Sequence, residues 1–435
     1  MSGLTVLHVT PHLGGGVGRV LSNYLAAAGG EQRHRVISLD YANAEVGRRL
    51  AELNIDLRDR LGLDHQALGR ALEAADLTVI HWWNHPLMYA WLTSGPWPPA
   101  RVLMWSHVSG RAAPQIITPS LASFPDLFAA ANPITLALPA LTSDPERAAQ
   151  GRLIFSSAGL DHLNFPPATP HDGLRIGYLG TVDYAKMHPD FIGLCLAADL
   201  PEAVFPVAGG PEEEALRREI ARRGDEERFE ILGPVADPAA FLSGLDIFGY
   251  PLNPEHYGTG EQVLIEALAA GVPPVVLGGG AEEFVVQHEV TGLVAQDGED
   301  YARCLHRLGR NARLRAELGA GARRRARERF DLSKTVEAFD RLYQELMERP
   351  KLSRRWPGVE DRPDPWQIFL TSQGDEAEYY QELERDPSLV FRRPPAPGAL
   401  SATRGSAAHY AEFFPGEVRL ERVSRILAEF SASRR

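Results

Sequence analysis

A chain of 435 residues is too long for one hydrophobic core and suits two domains with additions. Apolar residues at 44% and charged residues at 23% are those of an ordinary globular protein, and a net charge of −12 argues against general nucleic-acid binding, which leaves a basic footprint. No run approaches the ~18 apolar residues of a membrane span. Residues 1–9 lead directly into a strand and lack a secretory-leader layout. The two cysteines, Cys195 and Cys304, make no disulfide framework. A cytoplasmic protein is expected.

Short apolar β segments at 4–9, 35–39, 77–81 and 102–106 alternate with helical spacing at 20–28, 45–53 and 68–74. Such alternation implies a parallel sheet covered on both faces. Between the first strand and helix lies Pro11-His-Leu-Gly-Gly-Gly-Val-Gly-Arg19, in which Gly15, Gly16 and Gly18 let the backbone approach a ligand and the helix start favours an anion. Arg19 adds a cation. An NAD fingerprint is the rival reading, since Asp40 ends the second strand, but from Gly14 or Gly16 the sixth position is Arg19 or Leu21 rather than Gly or Ala. His81 and His107 end two apolar strands, where ligands bind in open parallel sheets; a satisfied core histidine is the alternative for each. Residues 112–150, rich in Pro and Ala, give no clear elements.

The Pro-rich stretch 164–173 is the expected domain boundary. A second α/β series follows, with strands expected at 174–179, 204–208, 229–232, 247–250, 274–277 and 293–294 and helices including 212–223 and 301–308. A long helical tract over 311–349 carries an arginine-rich run at 323–327, read as a solvated face, with contact to an anionic membrane surface as the alternative. The expected organisation is 1–165, 166–349 and an extension, 350–435, rich in Pro, Arg and aromatics. That extension is expected to pack along the back of the molecule; shaping an acceptor site or an oligomer contact is the alternative. No Asp-x-Asp pair, no His/Cys cluster with ligand spacing and no G-x-S-x-G elbow appears, so no metal and no resident cofactor are expected.

The most informative stretch runs from His256 to Leu277, HYGTGEQVLIEALAAGVPPVVL. It reads as a polar loop (Gly258, Thr259, Gly260), a helix over 262–270, a Gly-Val-Pro turn and a buried strand. Glu266 sits among apolar neighbours, and burying a carboxylate costs several kcal/mol unless something pairs with it. A ribose diol meets that need, beside a helix start that favours phosphate. An ordinary half-exposed glutamate is the plain alternative.

This stretch resembles the donor-binding motif of retaining glycosyltransferases of the two-domain GT-B class, family 4 type. Further segments match in order: Gly177-Tyr-Leu-Gly180-Thr-Val-Asp-Tyr-Ala-Lys186, Pro206-Val-Ala-Gly-Gly210, Asp246-Ile-Phe-Gly-Tyr-Pro251, Gly279-Gly-Ala-Glu-Glu283 and Thr291-Gly-Leu-Val294. The resemblance covers roughly 4–345. It implies an α/β fold of two Rossmann-like domains facing a cleft, and retaining transfer of a sugar from a nucleotide-sugar to an unidentified acceptor, without a metal. Glu266 would hold the ribose, and Gly280 and Glu283 would lie beside the donor. Lys186 would neutralise the diphosphate, while His107 and the Gly15–Arg19 loop would close the site from the first domain.

Two positions depart from the pattern. The first family glutamate is Gly258, for which Glu261 is the best-placed substitute, and the family arginine is Thr181, whose charge His188 is expected to supply in part. A non-catalytic glycosyltransferase-like subunit is the alternative these departures suggest. A nucleotide-dependent oxidoreductase is the third reading.

Overall fold

The computed structural model describes residues 3–30, 32–155, 157–160, 165–166, 171–259, 261–359, 362–400 and 403–433. Gly260 and half of the expected 164–173 boundary lie outside the described residues. The chain forms two compact units, one made of 1–158 with 335–435 and the other of 159–334. These limits differ from the expected 165/166 and 349/350.

In the first unit the strands are β1 (Leu4–Thr10), β2 (Gln32–Ser38), β3 (Asp56–Arg58), β4 (Leu77–Trp82), β5 (Trp97–Ala100), β6 (Val102–Ser106), β7 (Leu127–Ala130) and β8 (Gly151–Leu153). Seven of them form a parallel sheet in the order β3-β2-β1-β4-β6-β7-β8. Both faces are buried, as continuous apolar strands require. One face packs Val6, Val36, Val79 and Trp105 against Tyr24, Phe339 and Tyr343. The helix Leu332–Met347 thus supplies core residues to the first unit, which moves the boundary back from 349. The opaque 112–150 region contains β7 and four short helices (Pro119–Ser123, Pro133–Leu136, Pro139–Thr142, Pro145–Gln150), each with Pro in its first turn. Segments of four to six residues are too short for a helical period to register.

The opposite face receives the extension. Trp366, Phe369, Tyr380, Tyr410, Leu427 and Phe430 share one core with Ile80, Trp82 and Met104. The strand β15 (Leu352–Arg354), which follows six strands of the second unit, pairs antiparallel with β5. The extension also reaches the strand ends: Tyr410 donates to Asn84 at 2.8 Å and Gln115 donates to the Arg404 carbonyl at 2.7 Å. It is therefore core and strand-end cover of the first unit, not a layer on the back.

The second unit holds β9 (Leu174–Leu179), β10 (Ala203–Ala208), β11 (Phe229–Gly233), β12 (Ile247–Tyr250), β13 (Pro274–Leu277) and β14 (Leu293–Ala295). They form a parallel sheet in the order β11-β10-β9-β12-β13-β14. Strand order reverses between β9 and β12, the crevice position at which α/β sheets bind ligands. The expected helical tract 311–349 breaks at Asp331 into Ala312–Phe330 and Leu332–Met347. Within the arginine run, Arg323 donates to the Ala270 carbonyl at 3.1 and 2.7 Å, closing the C-terminus of the helix Gln262–Ala270. Among the described residues no helix is long and apolar enough to cross a membrane.

Candidate functional site

Three loops at the C-terminal ends of β9, β12 and β13 bring together residues up to 96 positions apart. Lys186 follows β9, Glu261 follows β12 and Glu282 follows β13. Lys186 Nζ lies 3.1 Å from Glu261 Oε2, and the same oxygen accepts a 2.6 Å hydrogen bond from the Tyr250 hydroxyl. Glu261 is buried, at 6% exposure. Burial alone would raise its pKa; Lys186, His256 and Tyr250 outweigh that and lower it. Burial opposes the charge on Lys186 as well, and Glu261 more than offsets it, so the ammonium persists above its ordinary range.

Glu261 precedes the helix Gln262–Ala270 and has φ +33°, a left-handed conformation that costs a non-glycine residue about 1–2 kcal/mol. This placement removes a geometric obstacle. Two side chains five residues apart on one helix diverge by roughly 140°, whereas Glu261 sits before the first helical residue and Glu266 within the helix. Glu266 is buried and accepts from Gln262 Nε2 at 3.2 Å.

Gly258 explains the path of Glu261. A Cβ built on Gly258 would lie 1.9 Å from Glu261 Oε1. The Glu261 carboxylate therefore occupies the volume of a side chain at 258, the position of the family's first glutamate. Among the described residues Oε1 has no hydrogen-bond partner, since Tyr250 and Lys186 both engage Oε2.

His256 and Glu282 complete the cluster and were not singled out from the sequence. His256 Nδ1 accepts from the Gly258 N–H at 3.0 Å, which puts a ring proton on Nε2, 3.1 Å from Glu282 Oε1. The approach is close, but its angle leaves Glu282 Oε1 without a hydrogen bond. Burial opposes a charge on His256, and Glu282 and Glu261 outweigh it to raise the pKa. Gly280 permits the crowding, because a Cβ there would lie 2.2 Å from Glu282 Oε2. Ligand atoms of His256, Glu261 and Glu282 lie within 4.8 Å of one another, close enough to hold a metal ion. Linear spacing concealed that trio, since its members come from two loops. Lys186 already supplies one cation to it.

Other expected residues stand apart. Glu283 is exposed and accepts from the Gly279 N–H at 2.9 Å; its neighbour Glu282 is the one turned into the cluster. His188 Nδ1 accepts from the Asp190 N–H, and burial lowers its pKa, so it does not replace the missing arginine charge. Thr181 is exposed, and its carbonyl accepts from the Tyr178 hydroxyl at 2.8 Å. Thr259 is buried.

In the first unit, Gly15, Gly16, Gly18 and Arg19 open the helix Gly15–Ala27, which has no side-chain cap and no acidic residue in its first turn. Gly18 sits against the Leu13 carbonyl, 3.2 Å from where a Cβ would stand. His81 and His107 hydrogen-bond to each other at 3.0 Å and belong to a longer row of histidines.

Residues 162–325 match the family model described as glycosyl transferases group 1. Among curated proteins, the chain is 28% identical over 298 residues to a D-inositol 3-phosphate glycosyltransferase of Streptomyces bingchenggensis, covering 61% of this chain and 62% of that protein. It is 28% identical over 218 residues to one of Saccharomonospora viridis, covering 44% of this chain and 49% of that protein. The matches thus span about half to three fifths of these relatives. Among solved structures, Anabaena HepE in complex with UDP and glucose superposes with a TM-score of 0.62 at 15% identity, covering 79% of this chain and 100% of that one. Sucrose-phosphate synthase from Thermosynechococcus elongatus gives 0.59 at 17% identity, with 79% and 99% covered. Residues 162–325 are thus similar to the group 1 glycosyl transferases, in a chain with the GT-B fold.

Proposed function

We propose that this protein is a retaining glycosyltransferase that moves a sugar from a nucleotide-sugar to an acceptor hydroxyl without a divalent metal, with Glu261 orienting the donor sugar. One observation carries this reading: the Glu261 carboxylate fills the side-chain volume of Gly258 and keeps Oε1 unengaged among the described residues. A loss of the first glutamate would be expected to disable the site; relocation of its carboxylate from three residues later preserves the chemistry. The left-handed backbone at Glu261 supports the same reading, because strain at a non-glycine residue persists where surrounding contacts enforce it and clusters at functional sites.

The chemical task is departure of a nucleoside diphosphate, which gains negative charge as the glycosidic bond breaks. A charged Lys186 at the end of β9 supplies fixed positive potential for that group in a site shielded from water. Glu266 accepts the ribose hydroxyls. Glu261 Oε1 accepts from a sugar hydroxyl while Oε2 stays fixed by Tyr250 and Lys186, so the sugar is aligned at no reorganisation cost.

Donor turnover, followed as release of free nucleoside diphosphate, tests the proposal. Glu261→Ala should leave nucleoside-diphosphate binding nearly intact and lower turnover at least about tenfold, a barrier change of roughly 1.4 kcal/mol. Adding Gly258→Glu to that variant should restore part of the loss by returning the carboxylate to the same volume. Near-normal turnover of Glu261→Ala would remove the sugar-orienting role. Nucleotide binding with no turnover of any donor by the unmodified protein would leave a binding subunit.

A further inference from the structure

Three histidines of the first unit meet where the extension covers the C-terminal ends of β1 and β4. His12 follows β1, His85 follows β4, and His409 lies in the helix Ala407–Phe413 of the extension. Their rings are contiguous. Centroids of His12 and His85 are 6.2 Å apart, and those of His85 and His409 are 5.0 Å apart. Aromatic rings wall the group: Tyr41 stacks on His12 at 5.0 Å, and Trp83 meets it edge-on at 4.9 Å. Phe413 packs against His85 at 4.8 Å and His409 at 5.1 Å.

A pinned loop of the extension adds a cation. Gln115 donates to the Arg404 carbonyl at 2.7 Å, and Gln373 donates to the Gly405 carbonyl at 3.2 Å. Gly405 has φ +83°, and a Cβ there would lie 2.9 Å from Asn84, so only glycine fits. Arg404 itself is exposed, and its guanidinium makes no hydrogen bond or ion pair among the described residues. Its charge still reaches all three rings. Burial is the largest influence on each and Arg404 adds to it, lowering His12 to about 3, His409 to about 4 and His85 well below the usual range. The rings are therefore neutral.

Their hydrogen-bonding needs are only half met. His85 Nδ1 accepts from the Leu87 N–H at 3.2 Å, and His409 Nδ1 accepts from the Gly405 N–H at 3.0 Å. A neutral imidazole that accepts at one nitrogen carries its proton on the other. Both rings are thus Nε2–H donors, and neither Nε2 has a partner among the described residues. His12 has no partner at either ring nitrogen, and its Nδ1 is buried. Whichever nitrogen holds the proton, a donor is left over. His12 is 4% exposed and His85 1%, and buried donors without an acceptor are rare and costly.

Four donor groups thus lack acceptors, and one of them is a permanent cation. Asp40 and Glu412 act on each other, with Arg60 beside Asp40, and neither acid is among the influences on the three rings. Such a set selects a ligand built of acceptors and carrying negative charge. A sugar hydroxyl would bring donors of its own, and a carboxylate has two oxygens for four groups. A phosphate group offers three terminal oxygens and matches the guanidinium fork.

We propose that Arg404, His12, His85 and His409 form a phosphate site, and that the acceptor is a phosphomonoester held there. Assigning the phosphate to the acceptor rests on the glycosyl-transfer reading above, in which Lys186 takes the donor diphosphate; the anion site itself does not. Inorganic phosphate titrated into the full-length protein, labelled with nitrogen-15 at histidine, tests the site. The expected result is saturable movement of the His12, His85 and His409 signals that chloride does not reproduce. Arg404→Met, a change at the surface, should weaken phosphate at least about tenfold, and Arg404→Lys should recover part of the loss. Signals that stay unmoved through millimolar phosphate, or move equally with chloride, overturn the proposal, whatever the turnover. Unaltered phosphate affinity in Arg404→Met overturns it too. In turnover assays a sugar phosphate should be preferred to the same sugar without phosphate. Arg404→Met should raise the KM for that acceptor at least about tenfold and leave the donor KM unchanged. Equal use of the two acceptors would overturn the acceptor assignment. Phosphate bound at these histidines in a protein that transfers no sugar would sink the transferase reading and leave the anion site standing.

Discussion

Two buried polar networks, one in each unit, solve the same problem in opposite ways. The cluster around Glu261 buries formal charge and offsets it with a partner, Lys186 at 3.1 Å. The row His34, His8, His81 and His107 holds three buried rings and a half-buried fourth, keeps them uncharged and hydrogen-bonds them in series. Desolvation is severe in both. A paired charge can be handed to a ligand, since a diphosphate or a sugar hydroxyl can take up part of the interaction. A neutral series has no charge to hand on. On the proposed reading, charge handling falls to the second unit.

Breaking the charged network should have the largest effect. Lys186→Met leaves Glu261 buried without its cation, and removal of one partner of a buried pair costs about 3–5 kcal/mol, toward the lower end here because Lys186 is half-buried. Denaturant unfolding reads the loss. Lys186→Met with Glu261→Gln should regain much of the stability and none of the turnover. Equal instability of the single and double variants would mean that the pair is not what holds this loop.

Breaking the neutral network should show in pH dependence. Each histidine of the row has a folded pKa below its unfolded value of about 6.5, so the unfolded state binds more protons as pH falls. The row's contribution is complete above about pH 6.5. It is lost as pH falls toward the folded values, about 4 for His34 and about 3 for His81. Glu261, with its pKa lowered, behaves differently: its contribution is complete above its unfolded pKa and is lost only as pH falls through the lower folded value. Between pH 6 and 5, His81→Gln should reduce the slope of stability against pH by up to about 1.4 kcal/mol per unit. Glu261→Gln should leave that interval nearly unchanged. The same slope change in both variants would erase the distinction.

Two smaller effects sharpen the role of the second unit. Glu266→Gln keeps shape and removes charge, so nucleoside-diphosphate affinity, measured by titration calorimetry, should fall by about 1–3 kcal/mol. Unchanged affinity in a folded variant would return Glu266 to a structural role. Chelation with EDTA should leave turnover unaltered, because Lys186 provides the cation beside Glu261. A loss restored by Mg²⁺ or Mn²⁺ would point instead to the trio His256, Glu261 and Glu282 as a metal site.

The alternation of apolar runs with helical spacing was enough to read an α/β chain, and strands β1, β4, β6, β9, β12 and β13 fall within a residue of where the apolar runs place them. Those signals are local: each strand is buried along nearly all of its length, and Gly or Pro follows β1, β9, β12 and β13 directly. The helix Gln262–Ala270 was legible for the same reason. Lys186 and Glu266 were legible as candidates because the motif places them at fixed spacing, and Glu261 because it is the carboxylate nearest the helix start once Gly258 has none.

What depended on distant residues was hidden. Phe339 and Tyr343 read as the end of one long helical tract, and only packing assigns them to the first unit's core, because periodicity states that a face is apolar and not what it meets. His256 and Glu282 join the site through separate loops, and the choice of Glu282 over Glu283 is a matter of which carboxylate the backbone turns inward. The row of histidines was written in the sequence as one histidine in each of three strands and a fourth just past β6, yet strand order and register decide that they touch. A one-residue slip would put the rings on opposite faces. Chain-local chemistry thus came from the sequence, while side-chain pairing and unit boundary came from the fold, since each is set by which segments the sheets place side by side.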